Sequence, residues 1–158
     1  MSEKVQGQNM VVKMLEKKNK IFTDSLITHL MRCGKKQKAK TIIINTGLFL
    51  GKQTNKQFLR IYSDIFNKIR PFVEVKKVRV RRTTYMVPFP TNFQRQKHLS
   101  AQWLLETVRN DNRKLSFQTK FKDEIVKILL NRGETLEKKR EMYKKAEKSR
   151  SFMHFRWY

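Results

Sequence analysis

The amino-acid sequence predicts a mainly α-helical single domain of about six helices, with a β-hairpin that protrudes between the third and fourth helices. Three observations lead to this fold class. The chain has 158 residues, which suits one domain with one hydrophobic core. Apolar residues recur at helical spacing along most of the chain, and strand-like alternation replaces that spacing only at about 72–89. We expect the domain to cover residues 20–158.

The segment 1–19 mixes Lys, Gln and Asn with few apolar residues, which is typical of a basic, polar tail. After it, a four-residue repeat of apolar side chains predicts the first helix, with Phe22, Leu26 and Leu30 on one face. Thr23 or Asp24 is expected to cap the start of this helix, and Gly34 to end it.

The next two helices are also predicted by apolar residues on one helical face. In the second helix these residues are Ala39, Ile42, Ile43 and Leu50. In the third helix they are Phe58, Ile61, Tyr62, Ile65 and Ile69. Because Pro71 cannot continue a helix and disfavours helical backbone at Arg70, we expect the third helix to end there.

A β-hairpin is predicted next. Valines alternate with charged residues in two runs, 73–76 and 78–81, and the alternation slips by one residue between them. This slip predicts a bulge or a bend in the first strand. The run 83–87 has the composition of the returning strand, so Arg81-Arg82 would lie near the hairpin tip.

Helical spacing resumes after the hairpin. The fourth helix is predicted by Leu99, Trp103, Leu104 and Val108. A fifth helix, capped by Ser116, has a core face of Phe117, Phe121, Ile125, Ile128 and Leu129. Gly133 is expected to be the left-handed residue that follows the fifth helix.

The last helix is predicted at about 134–150, and its few apolar residues leave most of its circumference outside the core. Trp103 and Phe152 are expected to be core residues. Asp123 and Glu124 are interpreted as compensating the helix dipole and adding solubility.

The charge of the chain indicates its partner. It has 37 Lys and Arg residues against 13 Asp and Glu, a formal net charge of +24. Because so much like charge repels itself in a compact molecule, we expect a polyanionic partner. Nucleic acid fits best, and an anionic membrane surface is the competing partner. The last helix lacks a broad apolar face for membrane binding, and no apolar run reaches about 18 residues, so we expect no membrane contact.

RNA is bound through phosphates, 2′-hydroxyls, shape and unstacked bases, which requires cations on fixed elements and planar side chains. Three stretches, which we call the first, second and third basic surfaces, meet this requirement. The first surface is Lys35, Lys36, Lys38 and Lys40. The second surface is Lys76, Lys77, Arg79, Arg81, Arg82, Arg95 and Lys97. The third surface is Lys138, Lys139, Arg140, Lys144, Lys148, Arg150, Phe155, Arg156 and Trp157.

Spacing predicts which of these side chains share a face. Arg79 and Arg81 are two residues apart and would lie on one face of a strand. Arg140, Lys144 and Lys148 follow one another at one helical turn, on one side of the last helix. For each surface the alternative is a solvated charged face without a ligand.

We do not expect an enzyme. The three histidines, His29, His98 and His154, lie far apart in the sequence without metal-ligand spacing, and no Gly-rich phosphate loop is present. Cys33 is the single cysteine, so neither a disulfide framework nor a Cys-based metal site is expected. The prediction is therefore no metal, no cofactor and no small-molecule substrate.

Ten short motifs or single residues lie in a characteristic order along nearly the whole chain. They are Gly34-Lys35-Lys36, Arg70 to Lys76, Thr84-Tyr85, Val87-Pro88, Leu99, Ala101, Trp103, Lys138-Lys139, Ala146-Glu147 and Phe152 to Trp157. In this order they resemble the bacterial and organellar small-subunit ribosomal protein seven family. The family usually has Gly-Gly where this chain has Arg81-Arg82, and since Gly adopts positive φ more easily than Arg, we expect a wider tip or one shaped by RNA.

The resemblance implies a structural constituent of the small ribosomal subunit. Such a protein binds the 3′ major domain of small-subunit rRNA, organises assembly of the subunit head and lies beside other head proteins. Its hairpin lies near the mRNA exit path and the exit-site tRNA. The alternative function is a stand-alone basic RNA-binding or membrane-surface protein.

The residue bias indicates a compartment. Phe, Tyr, Met, Ile, Asn and Lys, which have A/T-rich codons, are plentiful, and Gly, Ala and Pro are scarce. With Glu3 and Glu16 and no Arg before Arg32, the N-terminus does not resemble a cleaved transit peptide. We therefore expect an organelle-encoded protein of the mitochondrial ribosome; the alternatives are a plastid or the cytoplasm of an A+T-rich bacterium.

Overall fold

The computed structural model describes residues 22–157 and confirms the predicted fold class. In chain order the elements are α1 (22–30), α2 (Lys36–Thr54), α3 (Phe58–Ile69), β1 (Val73–Val80), β2 (Thr83–Pro90), α4 (Phe93–Asn110), α5 (Phe117–Leu129), α6 (Glu134–Lys148) and a C-terminal 3₁₀ helix (Arg150–Trp157). The predicted tail at 1–19 lies outside the described residues. Since the chain is already helical at Phe22, Thr23 and Asp24 lie inside α1 and do not cap it.

One hydrophobic core is formed by the apolar faces of α1 to α5, as the sequence predicts, with Leu136 of α6 at its border. Trp103 is buried in it, which confirms the prediction. Tyr62 is fully buried, and its hydroxyl donates a hydrogen bond to the carbonyl oxygen of Ile43 at 2.9 Å. Burial raises the pKa of Tyr62, so its hydroxyl stays a neutral donor that links α3 to α2.

At Gly47, helix α2 packs directly against aromatic side chains of α3. A Cβ atom at this position would overlap the ring of Phe58 and lie 3.0 Å from the ring of Tyr62. The rings of Phe58 and Tyr62 pack edge to face, with centroids 5.1 Å apart. Neither ring can therefore move away from Gly47 without disturbing the other. Gly47 is therefore required by packing.

The connection between α5 and α6 differs from its prediction. The left-handed residue after α5 is Asn131, at φ 61°, and Gly133 has φ −75° and precedes α6 as its N-cap. Gly133 is instead needed for space, because a Cβ there would lie 2.8 Å from the Glu124 carboxylate. Glu124 is buried and accepts hydrogen bonds from Thr135 N at 3.1 Å and Thr135 Oγ1 at 2.9 Å. Glu124 thus caps α6, and its interpretation as a solubilising residue is wrong.

The hairpin pairs without interruption, from Val73 opposite Pro90 to Val80 opposite Thr83, so the predicted bulge is wrong. Val78 and Val80 consequently lie on the face opposite to Val75. The apparent slip in the sequence arises because the covered face changes along the hairpin. Near the base both faces are packed, whereas nearer the tip only the face with Val78 is covered, by the 3₁₀ helix.

The hairpin tip is a two-residue loop, Arg81-Arg82, so the expectation of a wider tip is wrong, and its shaping by RNA stays a prediction. Arg81 adopts φ 55°, a left-handed conformation that non-glycine residues take at some cost. Because Arg81 belongs to the loop, the prediction that it shares a strand face with Arg79 is wrong.

The C-terminal 3₁₀ helix packs on β2. The ring of Tyr85 stacks on Phe155 with centroids 4.8 Å apart and lies 5.1 Å from Phe152. Phe152 is half-buried against the hairpin and lies outside the main core, so its assignment as a core residue is wrong. An isolated hairpin is only marginally stable, and this contact supplies the missing apolar cover.

Gly47→Ala is expected to destabilise the protein by about 1–3 kcal/mol, because the added methyl group overpacks the α2–α3 contact. A loss of stability would identify the packing contact as its cause, since Gly to Ala in a helix interior ordinarily stabilises a protein by about 0.5–1 kcal/mol. Urea unfolding followed by circular dichroism measures the change. Asn45→Ala, at an exposed position of α2, is the control; a Gly47→Ala variant as stable as the parent would contradict the packing argument.

Candidate nucleic-acid interface

The first basic surface lies at the turn between α1 and α2 and along the first turn of α2. All four of its lysines are exposed. α2 begins without a side-chain cap and without an acidic residue in its first turn, so its N-terminal amides and these lysines present only positive charge. Lys35 and Lys38 also border a groove of about 330 Å³ whose other walls include Arg109 and Phe117.

The second basic surface divides into an outer and an inner part. Lys76, Lys77, Arg79, Arg81 and Arg82 are exposed on the hairpin. The ammonium of Lys76 lies 5.6 Å from the ring centroid of Phe89, which positions it without neutralising it. No carboxylate of the described chain lies within 4.0 Å of any of these five cations.

Arg95 and Lys97, the inner part, form the joint between the hairpin and α4. Arg95 Nε donates to Glu74 Oε2 at 3.0 Å, and this hydrogen bond lowers the pKa of Glu74 while Glu74 raises that of Arg95. Lys97 is buried, with only 6% of its surface exposed, and its ammonium lies 5.1 Å from the ring centroid of Phe93. Both side chains have intramolecular partners, and their predicted contact with RNA stays a prediction.

The third basic surface has an outer row and two lysines with structural roles. Arg140, Lys144 and Lys148 are exposed on α6 at the predicted one-turn spacing. Lys138 pairs with Glu106 at 3.0 Å. Lys139 Nζ donates to the carbonyl oxygen of Lys68 at 2.6 Å, near the end of α3.

Two lysines together link α6 to the C-terminal ends of α3 and α5. Lys139 reaches the end of α3, and Lys68 Nζ donates in turn to the carbonyl oxygen of Leu129 at 2.6 Å, at the end of α5. Cations are favoured there because the last carbonyls of a helix lack partners and carry partial negative charge. Burial, together with the nearby charge of Arg70, lowers the pKa of Lys139.

The end of the third surface is held on the hairpin. Arg156 Nε donates to the carbonyl oxygen of Pro88 at 2.7 Å, and Phe155 stacks on Tyr85. Arg150 is exposed at the start of the 3₁₀ helix, and Trp157 is its last residue. Stacking therefore holds the ring of Phe155, and a hydrogen bond holds the guanidinium of Arg156.

The structure brings the second and third surfaces together. At the base of the hairpin, Phe72 N donates to the hydroxyl of Tyr143 on α6 at 3.0 Å. At its middle, Tyr85 contacts the 3₁₀ helix that follows α6. The first surface lies elsewhere, beside the end of α4, where Arg109 Nη2 donates to the carbonyl oxygen of His29 at 3.0 Å.

Sequence reasoning missed four residues at this junction: Lys68, Arg70, Tyr85 and Tyr143. The guanidinium of Arg70 lies 5.0 Å from the ring centroid of the exposed Phe72. Its buried Nε has no hydrogen-bond partner within residues 22–157. One signal was available, because basic residues just before Pro71 are typical of a helix end. Spacing could not show that Lys68 donates to α5 and not to its own helix. No sequence signal connected Tyr85 to Phe155, because they are seventy residues apart in the sequence and become neighbours only in the folded chain.

Two histidines that are distant in sequence meet in the structure. His29 Nε2 lies 3.0 Å from His98 Nδ1, and His29 Nδ1 lies 2.7 Å from the Ser25 carbonyl oxygen. Desolvation, followed by the charge of His29, lowers the pKa of His98. Across residues 22–157, no three His, Cys, Asp or Glu side chains cluster closely enough to hold a metal ion. Of the helices described, none is long and apolar enough to cross a bilayer.

Comparison with known proteins adds independent information. Residues 2–150 match the family model for ribosomal protein S7p/S5e. The chain is 33% identical over 137 residues, 87% of each chain, to "Small ribosomal subunit protein uS7" of Dichelobacter nodosus. It is 35% identical over 139 residues, 88% of each chain, to the protein of the same name from Wigglesworthia glossinidia brevipalpis. "Small ribosomal subunit protein uS7m" of Reclinomonas americana is 28% identical over 141 residues, 87% of this chain and 88% of that one.

Lys139→Ala is expected to destabilise the isolated protein by about 1–2 kcal/mol, because it removes a partly buried cation and hydrogen bond from the end of α3. Lys139→Met, which keeps the aliphatic stem, should lose nearly as much if the charge is what matters. Lys138→Ala is the matched control and should cost about 0.5 kcal/mol or less, as for an exposed ion pair. Urea unfolding at fixed salt measures all three; equal effects of Lys138→Ala and Lys139→Ala would refute the assigned role.

Proposed function

The chain belongs to the ribosomal protein S7p/S5e family and is a structural constituent of the small ribosomal subunit, and from this premise we propose that it binds the 3′ major domain of small-subunit rRNA and organises assembly of the subunit head. One observation carries the proposal. Of the predicted RNA-binding cations, only Arg95 and Lys138 have a carboxylate within 4.0 Å among the described residues. Lys97, Lys139 and Arg156 are at least partly buried, and the remaining cations are exposed on surfaces that lack a counter-charge of their own.

The proposed mechanism is electrostatic and architectural. Lysines and arginines on the three surfaces neutralise phosphates and release the cations condensed on the RNA. Because the side chains stand on helices and on a braced hairpin, they favour one arrangement of the RNA strands that they contact. A bound protein thereby stabilises the folded RNA junction in proportion to its affinity for that arrangement.

The hairpin has a separate proposed role. We propose that it lies near the mRNA exit path and the exit-site tRNA, beside neighbouring head proteins. The support is the exposure of its outer half, which carries four cations, while the hairpin is anchored at its base and at one face. The family is one of structural proteins, and we propose that this member likewise has no catalytic activity.

The ribosome is the location that family membership gives, and its compartment is a proposal. We propose a mitochondrial ribosome, with a plastid or an A+T-rich bacterium as alternatives. The codon-related residue bias supports an A+T-rich genome, and the relatives include both bacterial proteins and the protein named uS7m.

The proposal is tested by ultraviolet cross-linking of the chain to RNA in its native organism, followed by sequencing of the attached RNA. Adducts concentrated in the 3′ major domain of small-subunit rRNA are expected, and the rRNA sequence identifies the compartment. Adducts scattered over mRNAs, or a protein absent from small subunits, would instead support the stand-alone RNA-binding alternative.

Arg140→Gln combined with Lys144→Gln and Lys148→Gln is expected to weaken binding to an isolated 3′ major domain RNA. The slope of log K against log salt should fall by about 2–3, since each phosphate contact contributes about 0.7–0.9. Arg79→Gln with Arg81→Gln should reduce the yield of assembled small subunits less than the α6 variant does, because the hairpin is proposed to serve translation.

The matched control removes three exposed cations outside the basic surfaces: Lys114→Gln, Lys127→Gln and Arg132→Gln. This control keeps the net charge equal to that of the α6 variant, so it separates local contacts from overall charge. Filter binding at several salt concentrations, with circular dichroism to verify folding, provides the comparison. An identical loss of slope in the control would show that only net charge matters.

A further inference from the structure

Two histidines join the end of α1 to α4 although they lie 69 residues apart in the sequence. His29 Nε2 faces His98 Nδ1 at 3.0 Å, and the two rings pack edge to face with centroids 4.6 Å apart. We propose that His29 and His98 form a proton-operated clasp, which holds the end of α1 against α4 near neutral pH and opens when both rings are protonated.

The hydrogen bonds of His29 determine which ring donates. His29 Nδ1 lies 2.7 Å from the carbonyl oxygen of Ser25, which can only accept a hydrogen bond. The proton of a neutral His29 ring is therefore on Nδ1, and its Nε2 carries a lone pair. It follows that His98 donates from Nδ1 to His29 Nε2. This single proton between the two facing nitrogens makes the contact attractive.

The number of protons that the pair can bind without breaking follows from this arrangement. One added proton is accommodated on Nε2 of His98, because one proton still lies between the facing nitrogens and the hydrogen bond becomes charge-assisted. A second added proton has no place except Nε2 of His29. Two N–H groups and two like charges would then face each other at 3.0 Å, so the rings must separate.

The charged groups around the pair do not compensate a second proton. They come from the hairpin, α4, α6 and the residues after α1, and they are Arg32, Glu74, Arg95, Glu106, Arg109 and Lys138. Both carboxylates are already in ion pairs, Glu74 with Arg95 and Glu106 with Lys138. Arg109 also donates to the carbonyl oxygen of His29 at 3.0 Å. A second proton therefore finds no unpaired carboxylate among these residues.

The pH range of the clasp follows from His98. Burial, followed by the charges of His29 and Arg95, lowers the pKa of His98 below its ordinary value of 6.5, and Glu74 opposes this shift. Since the unfolded chain binds this proton more readily, the folded state is favoured above about pH 6.5 and loses that advantage as the pH falls through the lower, folded pKa. The clasp is therefore closed at about pH 7.5 and open at about pH 5.

Opening of the clasp affects a limited part of the fold. Phe22, Leu26 and Leu30 keep α1 in the core, so the helix as a whole stays in place. His29 lies in its last turn, and the first basic surface begins six residues later at Lys35. Protonation of both rings is therefore expected to loosen the end of α1 and the turn that leads to that surface.

The first experiment follows the imidazole nitrogens of the isolated full-length chain by nitrogen NMR, from about pH 8 to about pH 5. The chain has three histidines, so single variants assign every imidazole signal. At the start of the titration, Nδ1 of both His29 and His98 should carry the proton. The pair should then bind two protons in separate steps, the second below about pH 6.5. Coincident single-step titration of both rings above this pH would overturn the proposal.

The second experiment measures hydrogen exchange at the backbone amides of residues 28–33. Protection factors, which correct for the pH dependence of intrinsic exchange, are compared between about pH 7.5 and about pH 5. In the parent chain, protection should fall about two- to tenfold at the lower pH, as expected for the loss of one hydrogen bond. His29→Gln and His98→Gln should each remove this pH dependence, because a single titrating ring never places two protons between the facing nitrogens.

The matched control is His154→Gln, which removes the third histidine, on the C-terminal 3₁₀ helix, and should keep the pH dependence of the parent. Amides of residues 121–128, in the buried part of α5, should keep their protection at both pH values. A pH dependence that persists in His98→Gln would show that another group is responsible. Equal loss of protection in α5 would show general acid unfolding in place of a local clasp, and either result would overturn the proposal.

Discussion

The excess of positive charge is the constraint on which the rest of the structure depends. Since carboxylates are few, their positions are informative, and most of those with partners lie at joints between elements. Glu74 holds α4 to the hairpin through Arg95, and Glu124 caps α6. Asp111 accepts several hydrogen bonds from Arg113, which lower the pKa of Asp111 to about 2 and order the turn after α4. The joints are thus neutralised while the outer surfaces stay cationic.

The same constraint explains why some lysines are structural. A chain with so many cations and only five glycines uses ammonium groups to satisfy helix ends. Lys139 and Lys68 do so for α3 and α5. Their neighbours Arg140 and Lys144 have no such partner and face outward. Whether a cation stabilises the fold or remains available to RNA is therefore decided by which carbonyl groups lie within reach of it.

The hairpin is stable because three different interactions hold it. At the base of the hairpin, the hydroxyl of Tyr143 accepts a hydrogen bond from the amide of Phe72. At its middle, Tyr85 stacks on Phe155. The ion pair between Glu74 and Arg95 joins the hairpin to α4. A two-stranded ribbon without such support would be marginal in water. Bracing also holds the backbone of the hairpin in one position, so the charges near its tip are presented at a defined place.

Local signals in the sequence determined most of the fold. The helical faces, the end of α3 at Arg70 and the Ser116 cap depend on residues within one or two turns of each other, and they were predicted correctly. The first helix ends at residue 30, before the predicted stop at Gly34. The expectation that a chain with a net charge of +24 binds a polyanion likewise follows from composition. Tertiary structure alone decided the uninterrupted register, the role of Glu124 as a cap and the burial of Lys97. These features depend on which side chains meet across the fold, and spacing along the chain carries no information about such distant pairs.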